Sequence, residues 1–286
     1  MAQILITGGS SGIGLEMARH CLRRGHEVAI TGRDVLKTEG AAEALRESVP
    51  GAEVRALTLD LGDFSAVDAF AAAVVEAMPA LSRVILNAGS FTPKLRTLEN
   101  GLEAMIGTMH FGHFRLMQHL LPSIQQQPGA RVVVTSSVAH WLGRINEQRF
   151  FDASSHFSAA TAYGQAKLAN LLYARTLARR LRDTDVLVNA FHPGAVATGI
   201  WRELPSFARA FVGRTLISPA RGADTGSWLI LGDDDKQQRG GYFVRRKVAF
   251  SSPASRDEAL GDWLWERSEA IAGVVPPSSG TTRMQA

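Results

Sequence analysis

The sequence predicts a single doubly wound α/β domain built on a parallel sheet. Three observations carry that prediction. Short apolar strand patterns alternate with helical ones through most of the 286 residues, the order of βαβ units with right-handed crossovers. The strand segments are continuous Val/Ile/Leu runs, as strands covered on both faces require. A glycine-rich turn joins the first strand to the first helix, where the backbone must fold tightly back onto the sheet.

Residues 4–7 form the first strand, and residues 13–24 the first helix, with Gly25 as its stop. Further strands are expected at 28–31, 54–59, 84–86, 132–135 and 186–191, with helices at 34–48, 65–78, 102–124 and 161–181. Two stretches break the alternation. Residues 140–160 are polar and without a period, and residues 193–218 are irregular but carry Trp201, Phe207 and Phe211. Long aperiodic stretches in a compact domain are usually functional. The aromatics favour a substrate wall and a small lid near residues 199–213. No repeat or linker divides residues 1–273. Residues 274–286, with Pro276-Pro277-Ser278-Ser279-Gly280, read as a flexible tail.

Composition narrows the function classes. The one cysteine, Cys21, excludes an intrachain disulfide and points to a reducing compartment. His110 and His113 lack a third ligand at metal spacing, so no metal site is expected. A net charge of +4, from 31 basic and 27 acidic residues, is too weak and dispersed for nucleic-acid binding. The runs Arg179-Arg180-Leu181-Arg182 and Arg245-Arg246-Lys247 read as a solvated helix face and a loop rim. No apolar run approaches the ~18 residues of a membrane span. The start, Met1-Ala2-Gln3-Ile4-Leu5, reads as a strand, not a signal peptide. A cytoplasmic location follows as the expectation.

The turn Thr7-Gly8-Gly9-Ser10-Ser11-Gly12-Ile13-Gly14 is the principal motif. Its glycines allow close approach to a pyrophosphate, and the helix behind it offers free N–H groups and a positive dipole end. A dinucleotide is the expected cofactor, held by Gly8, Ser10, Ser11, Gly12, Ile13 and Gly14. The glycine spacing is G-x-x-x-G-x-G, whereas nucleotide-sugar epimerases use G-x-x-G-x-x-G. At the tip of the second strand lies Thr31-Gly32-Arg33-Asp34. A free ribose 2′-hydroxyl wants a carboxylate there, and a 2′-phosphate wants a guanidinium. Arg33 offers a bidentate fork for phosphate. Asp34 reads as the N-cap of the next helix. NADP is therefore the expected cofactor.

With the motifs that follow, the chain resembles the short-chain dehydrogenase/reductase family, retinol dehydrogenase-like branch, over nearly its whole length. Those motifs are Asp60-Leu61, Asn87-Ala88-Gly89, Ser136-Ser137, Tyr163-Gly164-Gln165-Ala166-Lys167 and His192-Pro193-Gly194-Ala195-Val196-Ala197-Thr198. The branch is marked by Ser136-Ser137-Val138-Ala139-His140, by Leu168-Ala169-Asn170 after the lysine, and by Gly241-Tyr242-Phe243 and Trp265-Glu266. The resemblance implies a Rossmann fold and oxidoreduction of a carbonyl/alcohol pair with NADP(H). It implies adenine contact at Asp60 and Leu61, and cofactor contact at Asn87, Ala88, Gly89, Tyr163, Lys167, Pro193, Gly194, Val196 and Thr198. Ser137, Tyr163 and Lys167 become the catalytic residues. A homodimer or homotetramer through the fourth and fifth helices is implied too, although some of the branch are monomers.

The chemistry stands beside the resemblance. Tyr163 and Lys167 are four apart and share a helix face. An ammonium nearby should lower the pKa of the phenol from ~10. Ser137 can polarise a carbonyl oxygen while Tyr163 donates the proton. The segment aromatics Phe150, Phe151, Phe157, Trp201 and Phe211 point to an apolar or aromatic substrate, with the core as the equal alternative for them. One position departs from the family: Met109 replaces an Asn that holds a water linking the lysine to solvent. A thioether binds water poorly. Another group or a backbone carbonyl could keep the water instead, His110 only if the helix were locally rewound. The alternative reading is a cofactor-binding regulator or scaffold with little catalysis.

Overall fold

The computed structural model describes residues 1–151, 157–194, 217–232 and 238–273. Val196, Thr198, the expected lid with Trp201, Phe207 and Phe211, and residues 274–286 lie outside them. The strands are β1 Gln3–Ile6, β2 Glu27–Gly32, β3 Val54–Thr58, β4 Leu81–Leu86, β5 Arg131–Thr135, β6 Leu187–His192, β7 Tyr242–Val244 and β8 Lys247–Val248. They form one sheet in the order β3-β2-β1-β4-β5-β6-β7-β8. Every neighbouring pair is parallel except β7 and β8.

The apolar strand runs divide their side chains between two layers, as their continuity requires. On one face Leu5, Ala29, Val84, Val132 and Val188 pack under α3 (Phe64–Ala77), α4 (His113–Ile124 and the turns before it) and α5 (Ala159–Arg180). On the other, Ile4, Ile6, Val28, Ile30, Ile85 and Val133 meet α1 (Gly12–Arg23), α2 (Val35–Ser48) and α6 (Pro219–Leu231). Two strand arginines finish α6. Arg83 donates to the carbonyls of Ile230 and Leu231, and Arg131 to that of Leu229, satisfying the last turn.

The fourth helix differs from the regular one expected over 102–124. It begins as α-helix at Ala104–Ile106, widens into a π-helix at Gly107–Gly112 and resumes at His113–Ile124. Glycine makes the close packing of this turn possible. A Cβ at Gly112 would strike the Leu61 carbonyl, and one at Gly107 would strike Leu98. Single π turns inside α-helices often mark functional sites.

Part of the fourth and fifth helices is packed against a later helix of the same chain. Helix α7 (Glu258–Ala272) lies across α4 and α5. Trp265 stacks on Tyr173 with centroids 5.8 Å apart, and Arg180 lies 4.4 Å from the Trp265 ring. Arg179 pairs with Asp262, Arg115 donates to the Ala272 carbonyl, and His110 bonds to Ser268 at 2.7 Å. The basic run at 179–182 is thus not the solvated helix face expected: Arg179 and Arg180 are spent on α7, and only Arg182 pairs outward with Asp183, while Arg246 of the second run pairs with Asp224.

Three histidines are held neutral by burial: His110 is pushed down to about 3, and His113 and His192 to about 4. The unfolded chain takes up these protons near pH 6.5, the folded chain only near 3–4. Stability is therefore present above pH 6.5 and is lost as the pH falls below it. Each histidine contributes about 1.4 kcal/mol per pH unit in that window. Urea unfolding should lose roughly 2–4 kcal/mol of stability between pH 7.5 and 5.5. A flat profile over that range would contradict neutral burial of these rings.

Candidate active site

The crossovers run to opposite sides from β1 and β4, so a crevice opens at their C-terminal ends. The glycine loop lies there. Gly8 and Gly12 have φ of +66° and +59°, which side chains rarely adopt. A Cβ on Gly9 would lie 2.7 Å from Ile30 Cβ, and one on Gly14 would strike the Gly8 carbonyl. Ser11 is the N-cap of α1 but makes no side-chain cap bond. The first-turn N–H groups therefore have no such partner, which suits an anion. This glycine cradle fits a dinucleotide pyrophosphate, with Ser10, Ser11 and Ile13 on its rim.

The tip of β2 excludes a carboxylate by sterics. A Cβ at Gly32 would strike the Thr38 hydroxyl and lie 2.8 Å from Ser10 Oγ. Arg33 beside it is exposed. Asp34 caps α2 by accepting from Lys37 N at 3.0 Å, the role read from the sequence. Lys37 itself was missed: its Nζ lies 3.5 Å from Ser11 Oγ, which places a second cation at the loop. Its spacing, four residues after Arg33, was the available signal.

On the other side of the crevice the expected residues converge. Asn87 N and Ala88 N donate to Thr7 Oγ1, and Asn87 Nδ2 donates back to Thr7 O at 3.0 Å. Ala88 touches the space behind Gly8. Asp60 is exposed and accepts from Gly62 N at 2.8 Å, while the Leu61 side chain is in the core. Pro193 and Gly194, the latter with φ +92°, close the end of β6.

Ser137 follows β5 and caps the short 3₁₀ turn Val138–Leu142, accepting from Ala139 N. Ser137 is also the neighbour whose side chain draws the Tyr163 phenol downward in pKa. His140 fixes its backbone: Nδ1–H donates to Ser137 O at 2.6 Å, and Nε2 accepts from Ser252 N. Ser136 is structural, donating to Lys167 O at 2.8 Å. Tyr163 projects from the start of α5 with Phe91 edge-on at 5.8 Å. Lys167 Nζ lies 5.5 Å from the Tyr163 ring centroid and donates to Thr135 O, an oxygen shared with Asn170 Nδ2. The three expected residues are brought together.

Their electrostatics correct one expectation. The Tyr163 phenol is pushed above its ordinary value by burial, and the Ser137 side chain offsets this only in part. Burial pushes Lys167 down to about 8. Desolvation of the phenol sets the sign of the shift, where helical spacing alone would have lowered it. The aromatics are corrected as well. Phe150 is fully buried against Phe111 and Trp263, and Phe157 packs at the edge of that cluster. Half-exposed Phe151 remains, but Val138, Trp141 and Leu142, just after Ser137, are the exposed apolar side chains near the reacting group.

Met109 is buried, and its thioether faces Gly89, where a Cβ would lie 2.8 Å from Sδ and 3.7 Å from Lys167 Nζ. His110, the rewound-helix candidate, turns away to Ser268 although the helix is indeed widened.

The comparisons agree with this geometry. The short chain dehydrogenase family matches residues 2–208. Retinol dehydrogenase 12 of Mus musculus is 37% identical, over 95% of this chain and 86% of that protein. Retinol dehydrogenase 13 of Homo sapiens is 31% identical, over 96% and 86%. An uncharacterized protein from Mycobacterium paratuberculosis superposes with a TM-score of 0.79 at 30% identity, covering 97% of this chain and 95% of that one. A short chain dehydrogenase from Shigella flexneri, complexed with NADP, superposes with a TM-score of 0.66 at 25% identity, covering 85% and 95%. No described helix is long and apolar enough to cross a membrane. With the glycine cradle and the Ser-Tyr-Lys cluster on one sheet edge, the chain belongs to the short-chain dehydrogenase family, among its retinol dehydrogenase-like members.

Proposed function

We propose that the protein is an NADP(H)-dependent oxidoreductase that interconverts a carbonyl and an alcohol on an apolar small molecule. The observation that carries this reading is the convergence of Ser137, at the end of β5, with Tyr163 and Lys167 of α5, Lys167 Nζ lying 5.5 Å from the Tyr163 ring centroid, at the strand ends that the glycine loop also borders. NADPH, when bound, supplies the hydride. The chain's own groups handle the oxygen. Ser137 orients it, and Tyr163, kept protonated by burial, donates a proton to it. Lys167, lowered to about 8 and buried, positions the ribose and returns the proton. The exposed Val138, Trp141 and Leu142 suit an apolar body, and the relatives' name makes retinal a first compound to assay.

Arg33 and Lys37 are the cations proposed for the 2′-phosphate. Arg33→Ala should weaken NADPH by about 10–150-fold, a charge-assisted bond's worth, and NADH far less. Titration of both cofactors decides this, and equal losses would remove the assignment.

Tyr163→Phe removes one hydroxyl and keeps the ring. Turnover on an accepted aldehyde should fall by roughly 10²–10⁴ while NADPH affinity stays within a few-fold. Retention of most activity would show that another group donates the proton.

Met109 motivates the scaffold reading, since its buried thioether stands where the family places the relay Asn. The intact trio argues for catalysis. Met109→Asn is expected to give no rate gain and to cost about 1–3 kcal/mol in urea unfolding, because a buried amide replaces a packed thioether. A clear gain in turnover would mean that the natural relay is handicapped.

A further inference from the structure

His113 belongs to no motif named above, yet it is fully buried beneath the cleft and both ring nitrogens are engaged. Nδ1 lies 2.9 Å from the carbonyl of Met109, in the π turn. A carbonyl only accepts, so Nδ1 carries the hydrogen. The ring is neutral, so Nε2 is bare, and its partner at 2.8 Å, Thr7 Oγ1, must donate to it. The Thr7 hydroxyl thereby keeps both lone pairs for Asn87 N at 2.9 Å and Ala88 N at 3.0 Å. The Ile85 carbonyl, 3.3 Å from the same oxygen, is the poorer acceptor. One donor and two acceptor sites are all satisfied, and only this tautomer satisfies them.

We propose that His113 is a positioning residue of the cofactor cleft, a bridge that ties the π turn of α4 to Thr7 and so sets the spacing between the glycine loop, the Asn87–Gly89 turn and the Met109 wall beside Lys167. The proposal rests on the dinucleotide reading above. Every segment that the bridge joins borders the cleft. Thr7 leads into Gly8. Ala88 packs behind Gly8, and Gly89 abuts Met109. Asn87 Nδ2 in turn donates to the carbonyls of Thr7 and Gly8. The position that carries Met109 is therefore held by its backbone carbonyl, whatever its side chain. This accounts for a trio that stays assembled without the relay Asn.

The test cuts each arm separately. In His113→Asn the amide overlays Nδ1, keeping Met109 and losing Thr7; in His113→Gln it overlays Nε2, with the opposite result. Both should raise the NADPH dissociation constant about tenfold, read by NADPH fluorescence. In the cofactor-free protein, the amides of Asn87 and Ala88 should exchange faster in His113→Asn, read by hydrogen-exchange mass spectrometry. Thr7→Ser keeps the hydroxyl and should bind as the parent does. Thr7→Val severs the same link, so adding His113→Asn to it should change affinity less than twofold. A core residue without this role would lower the melting temperature and leave affinity and local exchange alone. Parental affinity and exchange in folded His113→Asn, or multiplying effects with Thr7→Val, would overturn the bridge. Should His113→Asn yield no folded protein, His113→Gln takes its place, and parental NADPH affinity in folded His113→Gln would overturn the bridge. A parent that binds no NADPH would overturn the cofactor reading instead, while the exchange measurement still decides the bridge.

Discussion

The Thr7 hydroxyl is the point on which the cleft depends. It sits where β1 ends, between the two crossovers that leave the sheet in opposite directions. Four groups converge on it: two backbone amides of the Asn87 turn, the His113 ring and the Ile85 carbonyl. A buried hydroxyl in this place holds the ends of β1 and β4 at a fixed distance without a side chain large enough to fill the crevice. Thr135 performs the matching task one strand over, where its carbonyl accepts from both Lys167 and Asn170. The reacting groups hang from these two strand ends.

Burial then decides the chemistry. Water exclusion around α5 pushes the Tyr163 phenol up and the Lys167 ammonium down, and both shifts favour neutral forms. The same desolvation keeps His110, His113 and His192 neutral, so that each can serve as a defined donor and acceptor. His140 is used in the same way, joining Ser137 to Ser252 and tying the catalytic turn to the C-terminal part of the chain. Imidazoles here act as rigid two-ended connectors.

Helix α7 adds a second constraint. It is fastened to α4 and α5 by an aromatic stack and three charged or polar ties. The helices that present Tyr163 and Met109 are thus buttressed within one chain.

Much of this was legible in the residues. Continuous apolar strands and the glycine turn determined the parallel sheet and its order of units through β6, because each depends on local periodicity or backbone freedom. Asp34 as a cap was readable for the same reason. The choice of Ser137, Tyr163 and Lys167 came with the family resemblance. Tertiary structure alone decided the π turn, since only the packing of Gly112 against Leu61 makes it fit. It alone placed Phe150 in the core, Val138 and Trp141 at the rim, and α7 over α5. The sign of the Tyr163 shift also lay beyond sequence, because spacing along a helix reports which charges are near but not how much water is left between them. His113 is the clearest case: nothing local distinguishes it from His110, and its role exists only because folding sets its ring between a carbonyl and a hydroxyl more than a hundred residues away.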